Sequence, residues 1–173
     1  MQREEKNISL YEEEFYEPAK AGIITEKLLI FRLKQEWYGI EISSIKEVVK
    51  SFQITYLPSS PKDIEGVVNF KGDILLVIDL KKLFRLQKEK ITEKSRLIVI
   101  TSGVYESALL VDEVINITEV PKSMIAPPLT TIPVEYAEYI EGECRADGRL
   151  LGILNVKNIL DKEIINPDSI PEY

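Results

Sequence analysis

No histidine occurs anywhere in the 173 residues, and cysteine occurs once, as Cys144. Without an imidazole, a Ser-His-Asp or Cys-His site is impossible, and so is a phosphohistidine relay within this chain. One thiol closes no intramolecular disulfide and supplies no structural zinc centre. Cys144 therefore reads as a small apolar filler rather than a nucleophile. Neither G-x-x-x-x-G-K-[ST] nor G-x-G-x-x-G is present, so no phosphate loop is expected. No apolar run approaches membrane-spanning length, and Met1-Gln2-Arg3-Glu4-Glu5 lacks the apolar core of a signal peptide. A cytoplasmic protein with no direct membrane insertion follows. Positive charge is short as well: 22 Lys and Arg face 29 Asp and Glu, for a net charge of −7. Nucleic acid and anionic membrane are poor partners for such a surface. Carboxylates are the remaining route to an enzyme, and Glu41, Glu47, Asp79 and Asp112 stand on strand-like stretches. Charges at strand ends are mostly solvated or structurally paired, and no convergent set is visible. No enzyme, cofactor or metal is expected.

What is present is one hairpin written twice. Ile64 to Phe84, IEGVVNFKGDILLVIDLKKLF, places two apolar runs on either side of Lys71-Gly72-Asp73. Gly72 takes positive φ without steric cost, which suits a tight turn between two largely buried strands. Ile140 to Leu160, IEGECRADGRLLGILNVKNIL, repeats the pattern with Asp147-Gly148 at the turn. Ile64, Glu65, Gly66, Gly72, Leu75 and Lys81 match Ile140, Glu141, Gly142, Gly148, Leu151 and Lys157, and Val77 and Leu83 correspond to Ile153 and Ile159. Two similar halves explain this, against coincidence between two amphipathic strand pairs. Further echoes set Ile40-Glu41-Ile42 on Leu109-Leu110-Val111, and Ile45 and Val48 on Val114 and Ile117.

In chain order, residues 1–26 read as an acidic, flexible tail. Glu4, Glu5, Glu12, Glu13, Glu14, Glu17 and Glu26 outnumber Arg3, Lys6 and Lys20, carrying −4 of the −7. Ile8, Leu10, Tyr11, Phe15 and Tyr16 leave open a short docking segment. Strands are expected at 28–33, 37–42, 52–57, 96–101, 108–111 and 114–117, with a helical turn capped by Ser43 and a charged connector at 87–94. Pro121, Pro127, Pro128 and Pro133 make 120–135 an irregular loop, and a helix over 156–162 precedes a loose tail at 163–173. Many short strands and no long amphipathic helix mean an all-β protein of small barrels. Each half has about five strands, enough for one barrel: the first at about 36–86, the second at about 95–154.

These residues carry a family resemblance. LLIFRLKQEWYGIEISSIKEVV, ITYLPSSPKDIEGVVNFKGDILLVIDLKKLF and ALLVDEVINI together resemble a CheW-like chemotaxis coupling domain over about Lys27–Leu160. Its most specific pieces are Tyr38-Gly39-Ile40, Ile64-Glu65-Gly66, Asn69-Phe70-Lys71-Gly72, Ile78-Asp79-Leu80 and Val111-Asp112. The resemblance implies two five-stranded SH3-like β-barrels related by the internal repeat, with short helices. It also implies that strand 27–33 and the terminal helix pack at the barrel junction. The implied role is a non-catalytic adaptor linking chemoreceptor cytoplasmic tips to the histidine kinase CheA, whose regulatory domain has a similar fold. A CheW-like scaffold in a non-chemotactic two-component pathway is the alternative, ahead of a carboxylate enzyme. There is no room for the receiver domain fused in CheV proteins.

The resemblance also implies sites. Glu47 and Lys71 take the places of a Glu–Arg ion pair beside the receptor-binding groove. The family usually has Asn-Leu-Arg-Gly where this chain has Asn69-Phe70-Lys71-Gly72, so the charge is kept and the planar fork of arginine is lost. Ile45, Val114 and Ile117 match positions at the junction, where a helical receptor tip can lay its apolar ridge. Glu65, Gly66, Gly72 and Ile74 flank the first hairpin turn and are the candidates for the kinase contact. A bulge that curls the barrel is the competing explanation of Gly66.

Overall fold

Two-residue turns organise the strands. In the computed structural model, which describes residues 22–165, the order is β1 Thr25–Leu33, β2 Glu36–Glu41, a 3-10 turn Ile42–Ser44, β3 Ile45–Val49, β4 Ile64–Phe70, β5 Asp73–Asp79 and α1 Leu80–Leu83. Then come β6 Arg96–Thr101, β7 Glu106–Val111, β8 Glu113–Pro121, a 3-10 turn Lys122–Met124, α2 Val134–Ala137, β9 Ile140–Ala146, β10 Arg149–Leu154 and α3 Val156–Ile165. The β4–β5 turn holds Lys71 at φ 52° and Gly72 at φ 92°; the β9–β10 turn holds Asp147 at 51° and Gly148 at 75°. Two successive positive φ values fit type I′ geometry, whose twist matches that of the strands it joins.

The strands form two five-stranded sheets, β8-β1-β2-β10-β9 and β3-β6-β7-β5-β4. The all-β class is as expected, but the division into one barrel for 36–86 and another for 95–154 is not what is observed. Each half splits. The leading hairpin β1–β2 joins the sheet of β8, β9 and β10, while β6–β7 joins that of β3, β4 and β5. The seams are two parallel pairings, Ile153 opposite Gly39 and Val77 opposite Ala108. Strand 27–33 is an interior strand of one sheet, and it packs at the junction through Leu29, Phe31 and Leu33.

The repeat holds down to its irregularities. The β3–β6 register shifts between Ile45 and Glu47, and the β1–β8 register shifts between Val114 and Asn116. The β4–β5 pairing skips Glu65, and the β9–β10 pairing skips Glu141. Beyond each outer strand the chain returns to the opposite edge of its own sheet through one bridge, Thr55 to Val67 and Ala126 to Glu143. That bridge is all that remains of the strand expected at 52–57. The loop expected at 120–135 is shorter, because β8 runs to Pro121 and α2 starts at Val134. Ser43 does not cap its turn, β1 starts at Thr25, and the terminal helix runs to Ile165. Residues 1–21 of the expected acidic tail and 166–173 of the C-terminal one lie outside the described residues.

Three apolar clusters form among the described residues. Val68, Phe70, Val77, Leu97 and Val99 pack within the β3–β7 sheet, and Leu28, Ile30, Cys144, Leu151 and Ile153 within the other. The largest lies between them and draws Phe31, Tyr38 and Ile40 from one sheet, Ile78, Ile98 and Leu109 from the other, and Ile159 and Leu160 from α3. Phe31, Tyr38 and Phe84 stack across this junction with centroids 5.8 and 5.2 Å apart. Each fully buried side chain of this size contributes about 1.5–3 kcal/mol.

Candidate partner-binding surface

Lys71 sits on the β4–β5 turn because Asn69 and Gly72 shape that turn: the Gly72 N–H donates to Asn69 Oδ1 at 3.0 Å. Its Nζ reaches Glu47 Oε2 at 2.9 Å and lies 5.2 Å from the centre of the Phe70 ring. Glu47 is on β3 and the turn belongs to the opposite edge of the same sheet, so the pair spans the curl of that sheet. The Lys71 and Glu47 side chains are 71% and 41% exposed, and such a pair contributes little to stability, about 0–1 kcal/mol.

Ile45 and Val114 are equivalent residues of the two copies. Both are half-buried, and both pack against the junction cluster. One pitch further along, Val48 and Ile117 are again equivalent and stand exposed, Ile117 at 60%. The candidates for the receptor contact therefore lie on the two outer strands β3 and β8, with Lys71 beside β3.

The four kinase candidates separate. Gly72 has open space around its Cα, and Ile74 is 65% exposed. Glu65 and Gly66 are buried. A Cβ on Gly66 would meet the Thr55 carbonyl oxygen at 2.2 Å, so this glycine is where the returning segment crosses β4. Glu65 is held by Lys82 on one oxygen, with Lys88 3.5 Å from the other. Burial opposes its charge, but the two ammonium groups outweigh burial and hold its carboxyl below the ordinary range. A carboxyl lowered on folding adds stability above its unfolded pKa and loses it as pH falls through the folded value. Wild type should therefore lose stability more steeply than Glu65→Gln as pH drops below about 4.5 in acid titrations followed by circular dichroism. Parallel slopes for the two proteins would refute this.

The remaining carboxylates are structural. Asp79, 2% exposed, accepts from the Lys81 N–H at 2.9 Å and caps α1; burial raises its carboxyl above the usual range. Asp112 takes the buried Lys81 ammonium on Oδ1 and the Lys34 N–H on Oδ2 at 2.8 Å. It thereby ties α1 to the β1–β2 turn, at the end of β1 that lies beside the start of β8. Sequence reasoning noted Asp112 and Lys81 separately and missed their pairing; Lys81 followed by the buried Leu83 and Phe84 was the available signal. Glu41 is half-buried, and Glu141, raised by burial and then by Glu41 and Glu26, faces no catalytic partner. Burial also pushes up the Cys144 thiol, as befits a filler. Among the described residues no group of His, Cys, Asp and Glu could hold a metal ion, and no helix is long and apolar enough to cross a membrane.

Residues 27–163 match the family model described as the CheW-like domain. The chain is 30% identical to the chemotaxis protein CheW of Bacillus subtilis over 138 residues, covering 80% of this chain and 88% of that protein. It is 26% identical to the chemotaxis protein CheW of Thermotoga maritima over 136 residues, covering 79% and 88%. Among solved structures, the scaffolding protein TtCheW of Thermoanaerobacter tengcongensis superposes with a TM-score of 0.74 at 32% identity, covering 85% of this chain and 98% of that one. With strands, repeat and surface as described, the chain belongs to the CheW-like domain family and is a non-catalytic chemotaxis adaptor.

Proposed function

We propose that this chain, in the cytoplasm, joins the cytoplasmic tip of a chemoreceptor to the regulatory domain of the histidine kinase CheA. The observation that carries this reading is the paired apolar ridge, Ile45 with Val48 on β3 and Ile117 with Val114 on β8, bordering one junction core. A helical tip can lay an apolar stripe against such residues. The Glu47–Lys71 pair beside β3 offers charges that fix its orientation. For the kinase, the exposed Gly72 and Ile74 are the contact we favour. Glu65 and Gly66 support that hairpin from inside.

Reconstituted receptor–kinase arrays test the assignment. Lys71→Glu sets two carboxylates side by side and should weaken receptor coupling about tenfold or more. Its melting midpoint should stay within about 4 °C of wild type, since the exposed pair adds little. Ile117→Ser should behave the same way. Normal kinase activation by both variants would sink the receptor assignment.

A further inference from the structure

The two copies of the repeat share a backbone at one place where their charges do not match. By the alignment that pairs Lys81 with Lys157 and Val111 with Ile42, Asp112 corresponds to Ser43, Glu113 to Ser44, Arg32 to Thr101 and Lys34 to Gly103. The parallel registers of the two sheets follow the same alignment. In one copy the ammonium is 4% exposed and sits on Asp112, next to an Arg32–Glu113 pair at 3.0 Å. In the other, all three of those charged partners are hydroxyl residues. Lys157 alone keeps its charge, is exposed, and makes no ion pair among the described residues. The Gly103 N–H, equivalent to the Lys34 N–H that Asp112 accepts, turns back to Thr101 Oγ1 at 2.9 Å.

We infer that the cleft of about 540 Å³ formed by Ser43, Ser44, Thr101, Gly103 and Lys157 receives one carboxylate from an acidic side chain of a partner protein. The incoming group would stand where Asp112 stands in the other copy, with the Lys157 ammonium and the hydroxyls as its donors. Charge-assisted bonds of this kind are the stronger hydrogen bonds at a surface. Asp161 also lines the cleft without pairing with Lys157, and its charge opposes an incoming anion. This inference is independent of the ridge on β3 and β8.

An internal mimic tests the socket. Ser43→Asp builds the missing carboxylate into the chain and should raise the melting midpoint by about 2–4 °C, a rise abolished in Ser43→Asp/Lys157→Gln. The full chain titrated with N-acetyl-aspartyl-amide should show a saturable shift of the Gly103 amide resonance. That shift should vanish in Lys157→Gln and in Ser43→Asp, and grow at lower ligand in Asp161→Asn. An unchanged or lower midpoint for Ser43→Asp, a rise that survives in the double variant, or a Gly103 shift retained in Lys157→Gln would each overturn the inference.

Discussion

Gly66→Ala should cost about 3 kcal/mol of folding stability, a drop of roughly 6–12 °C in melting midpoint for a chain of this length. The added methyl would lie 2.2 Å from the Thr55 carbonyl oxygen and 2.9 Å from its carbon, distances no side chain occupies. Relief requires the 51–57 segment to move. That segment is tied to β4 by two hydrogen bonds of 2.9 Å, Thr55 N–H to Val67 O and Val67 N–H to Thr55 O. Gly142 is the built-in control. There a methyl would meet Ile125 Cγ2 at 2.9 Å and the Ala126 oxygen at 3.0 Å. A side-chain methyl can rotate aside, so Gly142→Ala should cost only about 1–2 kcal/mol. Thermal unfolding of both variants measures the difference. The reverse order, or two midpoints near wild type, would show that the returning segment is not held as described. Gly66→Asp is accordingly a poor probe of kinase binding. Ile74→Asp, on an exposed side chain, changes the same hairpin without touching its core.

Asp112→Ala should be about as damaging, at about 3–5 kcal/mol in denaturant unfolding. Removing the carboxylate leaves the Lys81 ammonium, 4% exposed, without its counter-charge and strips the Lys34 N–H of its acceptor. An unpaired buried charge is the costly outcome; replacing both partners by apolar groups of similar size is not. Lys81→Met/Asp112→Leu should therefore recover most of the loss. Asp112→Asn keeps an acceptor for Lys34 but not the charge, and should fall between. If Asp112→Ala unfolded within 1 kcal/mol of wild type, the pair would have to be solvated, contrary to its burial.

What could be read from the residues was local or repeated. Gly72 and Asp147-Gly148 announce type I′ turns because positive φ is a property of one or two residues. The correspondence of Ile45 with Val114 and of Val48 with Ile117 was also legible, and the structure gives each pair the same setting. Strand partners were not legible. β2 fits β10 or β5 equally well by apolar pattern, and a parallel pairing leaves no connecting turn to betray it. Gly66 was noticed, but its cause lies in Thr55, which only the returning chain brings near. Lys81 and Asp112 were each noticed but not joined, because thirty-one residues separate them.

The exchanged hairpins bear on how such a chain can have arisen. A protein made of one repeat holds a leading two-stranded ribbon, a lone strand and a second hairpin that do not complete one sheet. Only a second copy supplies the missing neighbours, each molecule lending its ribbon to its twin, which is a swapped homodimer. Duplication and fusion would then convert an intermolecular embrace into an internal one, with the charged connector at 87–94 as the scar of the join. Freed from symmetry, the copies can diverge, and the two lysines record it: one is locked inside the protein by Asp112, the other faces outward.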